Sequence, residues 1–146
     1  MTKTRRSGIA VIVAVLLSAF CFVGVAYADY SKSSVSRANN YTFYAAAQTM
    51  SKQVTGSVNM NTSRIVNPQC IGACPRIFLP KGTLKATGST KYNAAAIPSG
   101  GEWGHRVTVG SVAGISYYSK GLFYFGQPGG YYQRETAQTA LVKHQN

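Results

Sequence analysis

The densest group of chemically active side chains is the segment Glu102-Trp103-Gly104-His105. A glutamate and a histidine three residues apart could share one helical face and ligate a di-iron centre, but such centres need this pair twice and further carboxylates. Acid–base catalysis needs a second titratable group, and Glu135 and Asp29 are the only other carboxylates of the chain. Nothing in the spacing of these groups indicates that two of them act as a catalytic acid and base. The chain also has no G-x-S-x-G nucleophile motif. We therefore expect a protein without a catalytic site, a bound metal or a cofactor. An enzyme of unknown type is the second alternative, and it would need Glu102, His105 or Glu135 to converge in a pocket.

Cys70 and Cys74 are the only cysteines after residue 28. Outside the cytoplasm we expect them to be oxidised. In a strand, Cα atoms four residues apart would be separated by about 13 Å, beyond the roughly 7 Å limit for a disulfide, so the segment must turn. Gly72 between them permits a turn, and we predict a disulfide-pinned loop between two strands. The alternatives are a redox pair or a zinc site with His105 and His144, and neither matches a familiar spacing.

Residues 1–28 have the three parts of a secretory signal peptide. A basic start precedes an apolar run over residues 9–25, and the small residues of Ala26-Tyr27-Ala28 suit a signal peptidase. The apolar run is also long enough for a bilayer core of about 30 Å, so an uncleaved N-terminal membrane anchor is the alternative. Because Gly8 follows Arg5-Arg6 where a twin-arginine signal would have a bulky apolar residue, we expect the general secretory route. The predicted location is secreted or on the extracellular surface.

Basic residues outnumber acidic residues throughout the chain. Lys and Arg total 15 against 3 Asp and Glu, which gives a formal net charge of +12. Three basic residues lie in the predicted signal peptide, so the exported part keeps 12 basic residues against 3 acidic ones, a net charge of +9. We expect such a protein to associate with anionic envelope polymers or anionic lipid headgroups. The rival explanation is that the charge only keeps the protein soluble. We expect no nucleic-acid partner, because the chain has no recognition helix, RNP-type motif or arginine-rich run.

Aromatic side chains offer a second way to bind a surface, because a ring combines a large apolar area with specific geometry. Trp103 also has a plainer interpretation as a core anchor or a turn residue. The candidate surface-binding residues are Trp103, Tyr117, Tyr118, Tyr131, Tyr132, Arg106 and Lys120.

The elements that must position these side chains are predicted to be strands. Apolar residues alternate with polar ones, or β-prone residues cluster, in segments 41–47, 106–109, 112–118 and 122–125. Glycine and proline residues suited to tight turns lie between them, in segments 99–101, 119–121 and 127–130. Strands that recur every 8–14 residues or so are typical of an all-β fold. We predict a small antiparallel sandwich or barrel-like domain after the signal peptide.

The predicted domain organisation has three parts. Residues 1–28 are the signal peptide, residues 29–40 are a flexible polar lead rich in serine, and residues 41–146 form a single β-rich domain. Segment 45–53 could form a short helix, but the alternation favours a strand. Segment 134–144 fits a C-terminal helix or a strand about equally, since Glu135 lies early and Lys143 late, as the helix dipole prefers. The oligomeric state is left open.

Gly100-Gly101-Glu102-Trp103 followed by Ser116-Tyr117-Tyr118 resembles the small secreted β-sandwich bacteriocins of the lactococcin type. These proteins open with a glycine-tryptophan stretch and carry a strand rich in serine and tyrosine. The resemblance covers about 20 residues. It implies a secreted antimicrobial protein as an alternative function, without membership in that family.

Overall fold

The computed structural model describes residues 29–145, which form strands and connecting loops with no helix among them. The thirteen strands are β1 (Tyr30–Lys32), β2 (Ser36–Ala38), β3 (Tyr41–Met50), β4 (Gln53–Thr62), β5 (Ile71–Cys74), β6 (Arg76–Phe78), β7 (Leu84–Thr87), β8 (Lys91–Tyr92), β9 (Glu102–Gly110), β10 (Ser116–Ser119), β11 (Leu122–Gln127), β12 (Gly130–Glu135) and β13 (Val142–Lys143). The predicted all-β class is confirmed.

The strands form three antiparallel sheets. In sheet I, β1 and β2 both pair with β3, and β4 and β9 follow. Sheet II has the order β12-β11-β5-β8, and sheet III has the order β13-β10-β6-β7. The predicted antiparallel arrangement is therefore confirmed, and its β3–β4 and β4–β9 ladders are the longest.

The alternation along β4 decides which side of sheet I is buried. Val54, Val58 and Met60 have almost no exposed surface, whereas the polar residues between them are half-buried on the other side. Cross-strand partners share this pattern, because Phe43 lies opposite Met60 and Ala45 lies opposite Val58. Successive side chains of a strand point to opposite faces, so sheet I has an apolar inner face and a polar outer face.

Sheets II and III pack side by side on the inner face of sheet I, which makes the fold a sandwich. One core cluster joins sheets I and II, where the rings of Phe43 and Phe123 stack at a centroid distance of 4.8 Å. A second cluster joins sheets I and III around Val54, Ile77 and Tyr117. Rings of this size bury about 150–250 Å² each, so Phe43, Tyr117, Phe123 and Phe125 add large apolar areas to those of the aliphatic core residues.

The predicted flexible lead is wrong over most of its length. Residues 30–38 contribute β1 and β2, whose registers place Tyr30 opposite Gln48 and Arg37 opposite Thr42. The buried Ser33 hydroxyl accepts a hydrogen bond from the Ala45 amide at 3.0 Å. A serine-rich composition does not keep a segment flexible when the neighbouring strand offers unpaired backbone groups.

The predicted disulfide loop is also wrong. Cys70 and Cys74 are unpaired, and the segment that should turn between them is strand β5, which pairs with β11 on one side and β8 on the other. The Cys74 thiol lies 3.3 Å from the Gly88 carbonyl oxygen, whereas Cys70 packs against the core between sheets I and II. Extended backbone holds the two thiols in separate surroundings.

Two segments that could have formed either a helix or a strand contain strands. Segment 45–53 belongs to β3 and β4, as the alternation predicts, and the C-terminal segment contains the short strand β13 instead of a helix. The predicted signal peptide, residues 1–28, lies outside the described residues. Within residues 29–145, no helix is long and apolar enough to cross a membrane.

Candidate functional site

The side chains considered for acid–base chemistry lie in three different places. Glu102 is on the outer face of sheet I, where its Oε1 accepts a hydrogen bond from Asn61 Nδ2 at 3.1 Å. His105, three residues further along β9, points to the inner side. Glu135 forms an ion pair with Lys120 at 3.0 Å. These groups do not converge on one pocket, so they do not form the pair that a glycosidase or a di-iron centre needs.

His105 is the most perturbed of these groups. Its Nε2 atom is buried and has no hydrogen-bond partner among the described residues. Burial lowers the pKa of His105 below its ordinary value, and the nearby Lys91 ammonium lowers it further, while a hydrogen bond to the Ser89 backbone opposes the shift. The imidazole is therefore kept neutral near pH 7.

The histidines and cysteines considered for zinc do not meet. His144 hydrogen-bonds to Ser111, just after the end of β9, whereas His105 lies within β9 and the two thiols lie at β5. In the described part of the chain, no group of three His, Cys, Asp or Glu residues is placed to hold a metal ion.

The seven candidate surface-binding residues are dispersed over the three sheets. The prediction that Tyr117 binds a surface is wrong, because this residue is 1% exposed and belongs to the core between sheets I and III. Its hydroxyl accepts a hydrogen bond from the Val112 amide at 2.9 Å. Trp103 is half-buried at the edge of the core between sheets I and II, as a core anchor would be. Arg106 is exposed on the outer face of sheet I.

Tyr131 and Tyr132 lie on opposite faces of β12 in sheet II. Tyr131 stacks on Tyr92 with ring centroids 4.5 Å apart, and its hydroxyl donates a hydrogen bond to the Gln69 carbonyl at 2.6 Å. Tyr132 is 64% exposed and stacks on Phe125. Tyr131 therefore has a structural role at the outer face, whereas Tyr132 presents most of its ring to solvent.

Tyr118 marks the outer face of sheet III. Its neighbour Tyr117 is buried, so the alternation of β10 turns Tyr118 outward. Tyr118 lies opposite Phe78 in the β10–β6 ladder, and the two rings stack at 5.2 Å with planes 12° apart. Leu84 lies opposite Phe78 on β7 and is 51% exposed. Two stacked rings and one leucine thus form an apolar centre on this face.

Basic side chains surround that centre. Arg76 lies two residues before Phe78 on the same face of β6, and Lys143 lies opposite Ser116, two residues before Tyr118. Lys85 is exposed at the irregularity between β6 and β7, and Lys81 is exposed in the turn between these strands. We call this surface the basic aromatic face, and it comprises Arg76, Phe78, Lys81, Leu84, Lys85, Tyr118 and Lys143.

The three carboxylates of the described residues do not neutralise the basic side chains of this face. Glu102 lies on sheet I, and Glu135 is paired with Lys120. Asp29 lies at the margin, where its Oδ2 accepts a hydrogen bond from the Lys143 backbone amide at 2.7 Å. Among residues 29–145, none of the four basic side chains of the face is in an ion pair. Of its seven residues, only Tyr118 was predicted from the sequence as a site residue. The alternation of Arg76-Ile77-Phe78 could have indicated that Arg76 and Phe78 share the face opposite the buried Ile77.

Comparison with known proteins gives no match, since no family model fits the chain and no curated protein is significantly similar to it. The function is therefore inferred from the residues and their arrangement.

Proposed function

We propose that this protein is an exported, non-catalytic protein that binds anionic envelope surfaces through the basic aromatic face. The observation that carries the proposal is the location of four basic side chains, with no ion-pair partner among residues 29–145, around the stacked Phe78 and Tyr118 rings. Aromatic rings favour the boundary between water and the lipid interior, and basic side chains bind the phosphate groups of that boundary. The shared ligand chemistry is phosphate, from a lipid headgroup or from a phosphate-bearing polymer.

Leu84 favours the lipid source. Its half-exposed side chain has no role in the core, and it adjoins the ring of Phe78 across the ladder. A polymer in solution would leave this apolar group in water, whereas a bilayer surface would cover it. Each Lys or Arg held near an anionic membrane contributes about 1 kcal/mol of attraction, and salt weakens this attraction.

The test is co-sedimentation of the exported protein with vesicles, either neutral or containing anionic phospholipid, across a salt series. We expect binding to the anionic vesicles only, and we expect it to weaken between 0.1 M and 1 M salt as the Debye length falls from about 10 Å to about 3 Å. The double variant Lys81→Gln/Lys85→Gln should weaken the partition about 30-fold, because two charges contribute roughly 2 kcal/mol.

A matched control separates the face from the net charge. The variant Arg64→Gln/Lys91→Gln also removes two positive charges, but both residues are exposed outside the basic aromatic face. It should bind at least ten times more tightly than Lys81→Gln/Lys85→Gln. Equal losses would show that only total charge matters. Leu84→Ser should weaken binding to vesicles but leave binding to a soluble phosphate polymer unchanged, which distinguishes the two sources.

The alternative of a bacteriocin-like antimicrobial protein is tested on the same vesicles. An antimicrobial that permeabilises membranes should release a trapped dye and kill sensitive cells, whereas a surface-binding protein should do neither. Dye release at the concentration that saturates binding would favour the antimicrobial function.

A further inference from the structure

Three shallow depressions lie next to one another on the outer face of sheet I. The first, of about 230 Å³, is lined by residues that include Tyr44, Asn59, Asn61 and Gly104. The second, of about 480 Å³, shares Asn59 and Gly104 with it, and the third, of about 410 Å³, shares Asn61. Because neighbouring depressions share residues, they form one continuous groove along β4. We call it the polar groove.

Gly104 lines two of the three depressions and makes room there for the Asn59 side chain. A Cβ atom at this position would approach Asn59 Oδ1 to 2.4 Å and the Val58 carbonyl oxygen to 3.1 Å. The absence of a side chain therefore lets the Asn59 amide lie across the β9 backbone. Gly104 lies between Glu102 and Arg106 on the same outer face of β9.

The polar side chains of the groove are held in place by one another. Asn59 Nδ2 donates to Ser57 Oγ at 2.8 Å, and the hydroxyls of Thr55 and Thr108 share a hydrogen bond of 2.8 Å. These are short side chains, and short ordered side chains lose little conformational freedom when a ligand binds. The outer positions of β4 thus present a pre-organised row of amide and hydroxyl groups, without a lysine or glutamate among them.

The charges of the polar groove differ from those of the basic aromatic face. Arg106 and Arg37 lie on its two sides, and the Glu102 carboxylate lies between them. Lys32 is placed over the Tyr44 ring, with its Nζ atom 3.8 Å from the ring centroid. With one carboxylate among three basic side chains, the groove has a lower net positive charge than the basic aromatic face and suits a polyanion less well than that face does. A neutral ligand with many hydrogen-bonding groups meets donors and acceptors along the groove.

We propose that the polar groove binds a neutral saccharide chain. Each sugar hydroxyl is both a donor and an acceptor, and the amides of Asn59 and Asn61 and the hydroxyls of β4 can satisfy both roles. The second and third depressions have the size of small-molecule binding sites. From Thr55 to Thr62 the groove follows about 24 Å of β4, at about 3.4 Å per residue, so it accommodates a chain of sugars better than a single one. The site is separate from the basic aromatic face and does not depend on the function proposed for that face.

The test is binding of the exported protein to an array of neutral glycans, namely linear glucans, mannans and N-acetylglucosamine oligomers, followed by calorimetry with the best binder. We expect at least one neutral glycan to bind, with little change between 0.1 M and 1 M salt. Asn59→Ala/Asn61→Ala should weaken that binding at least ~10-fold, since each removed amide takes one or more hydrogen bonds with it. The control Asn67→Ala/Gln133→Ala alters two exposed amides outside the groove and should bind like the wild type.

A second variant covers the case in which the double alanine variant folds poorly. Gly104→Ala keeps both amides but displaces the Asn59 side chain from the β9 backbone, and it should also weaken glycan binding. The inference is overturned if no neutral glycan binds, or if both groove variants bind as well as the wild type. Lys81→Gln/Lys85→Gln should leave glycan binding unchanged, and Asn59→Ala/Asn61→Ala should leave vesicle binding unchanged. Failure of one proposal is therefore separable from failure of the other.

Discussion

Replacement of Gly121 by alanine tests whether the sandwich depends on one close backbone contact. Gly121 joins β10 of sheet III to β11 of sheet II, and Pro75 joins β5 of sheet II to β6 of sheet III. The two connections touch each other on top of Val58 of sheet I. A Cβ atom at position 121 would lie 2.3 Å from Val58 Cγ2, 2.8 Å from the Cys74 carbonyl oxygen and 3.2 Å from Pro75 Cα.

The expected cost follows from these distances. Nonbonded carbon atoms are most stable at about 3.5–4.0 Å, so the new methyl group overlaps with its neighbours on several sides. Two of the contacted atoms belong to backbone, and Val58 is itself buried, so none of them can move freely. Overpacking of this kind typically costs about 1–3 kcal/mol. The lower entropy of unfolded alanine relative to glycine offsets only part of this, about 0.4–1 kcal/mol.

The assay is thermal unfolding of the exported protein followed by circular dichroism. After the entropy offset, the net cost is about 0.5–2.5 kcal/mol. For a domain of this size, 1 kcal/mol changes Tm by roughly 4 °C, so Gly121→Ala should lower Tm by about 2–10 °C. Gly130→Ala is the matched control, because no heavy atom lies within 4 Å of its Cβ position. It should shift stability by no more than about 0.5 kcal/mol. Tm values for the two variants within 2 °C of each other would refute the close-contact argument.

Three further predictions concern the core, the pH dependence and the thiols. Phe123→Ala should lower the free energy of unfolding by about 3–5 kcal/mol in urea titrations, because Phe123 is fully buried and stacked, and a loss under 1 kcal/mol would contradict the assigned core. Since the pKa of His105 is lowered in the folded protein, the unfolded state binds a proton first as the pH falls below about 6.5. Stability should therefore decrease with acidification from that pH until the folded-state pKa is passed, and His105→Gln should remove this component from urea midpoints measured at pH 7.5 and 5.5. Alkylation in denaturant without reductant should modify both Cys70 and Cys74. If mass spectrometry shows that neither is modified, the two cysteines form a disulfide after all.

Several features of the fold were predictable because they depend on local patterns. Alternation in segment 41–47 predicted a strand with Phe43 and Ala45 on one side, and both are buried on the inner face of sheet I. Gly100 and Gly129, assigned to turns, have φ values of 76° and 88°. A local pattern was sufficient here because strand period and turn geometry are properties of a few neighbouring residues.

The candidate site was only partly predictable, because burial on one side of a strand is decided by what packs there. Tyr117 and Tyr118 are chemically equal in the sequence, yet sheet I covers the first and leaves the second outside. The basic aromatic face joins residues from β6, β7, β10 and β13, which are far apart along the chain. Their proximity exists only through the ladders of sheet III.

The sequence by itself determined that this protein is rich in strands, strongly basic and poor in carboxylates, since composition and period are local quantities. Tertiary structure alone decided that segment 30–38 pairs with β3, that Cys70 and Cys74 lie apart, and that Gly121 is needed for close packing instead of a turn. Each of these depends on a partner distant in the chain that supplies a hydrogen bond, a ladder or a neighbouring atom. Such partners follow from the pairing of whole sheets, and no pattern within a short segment specifies them.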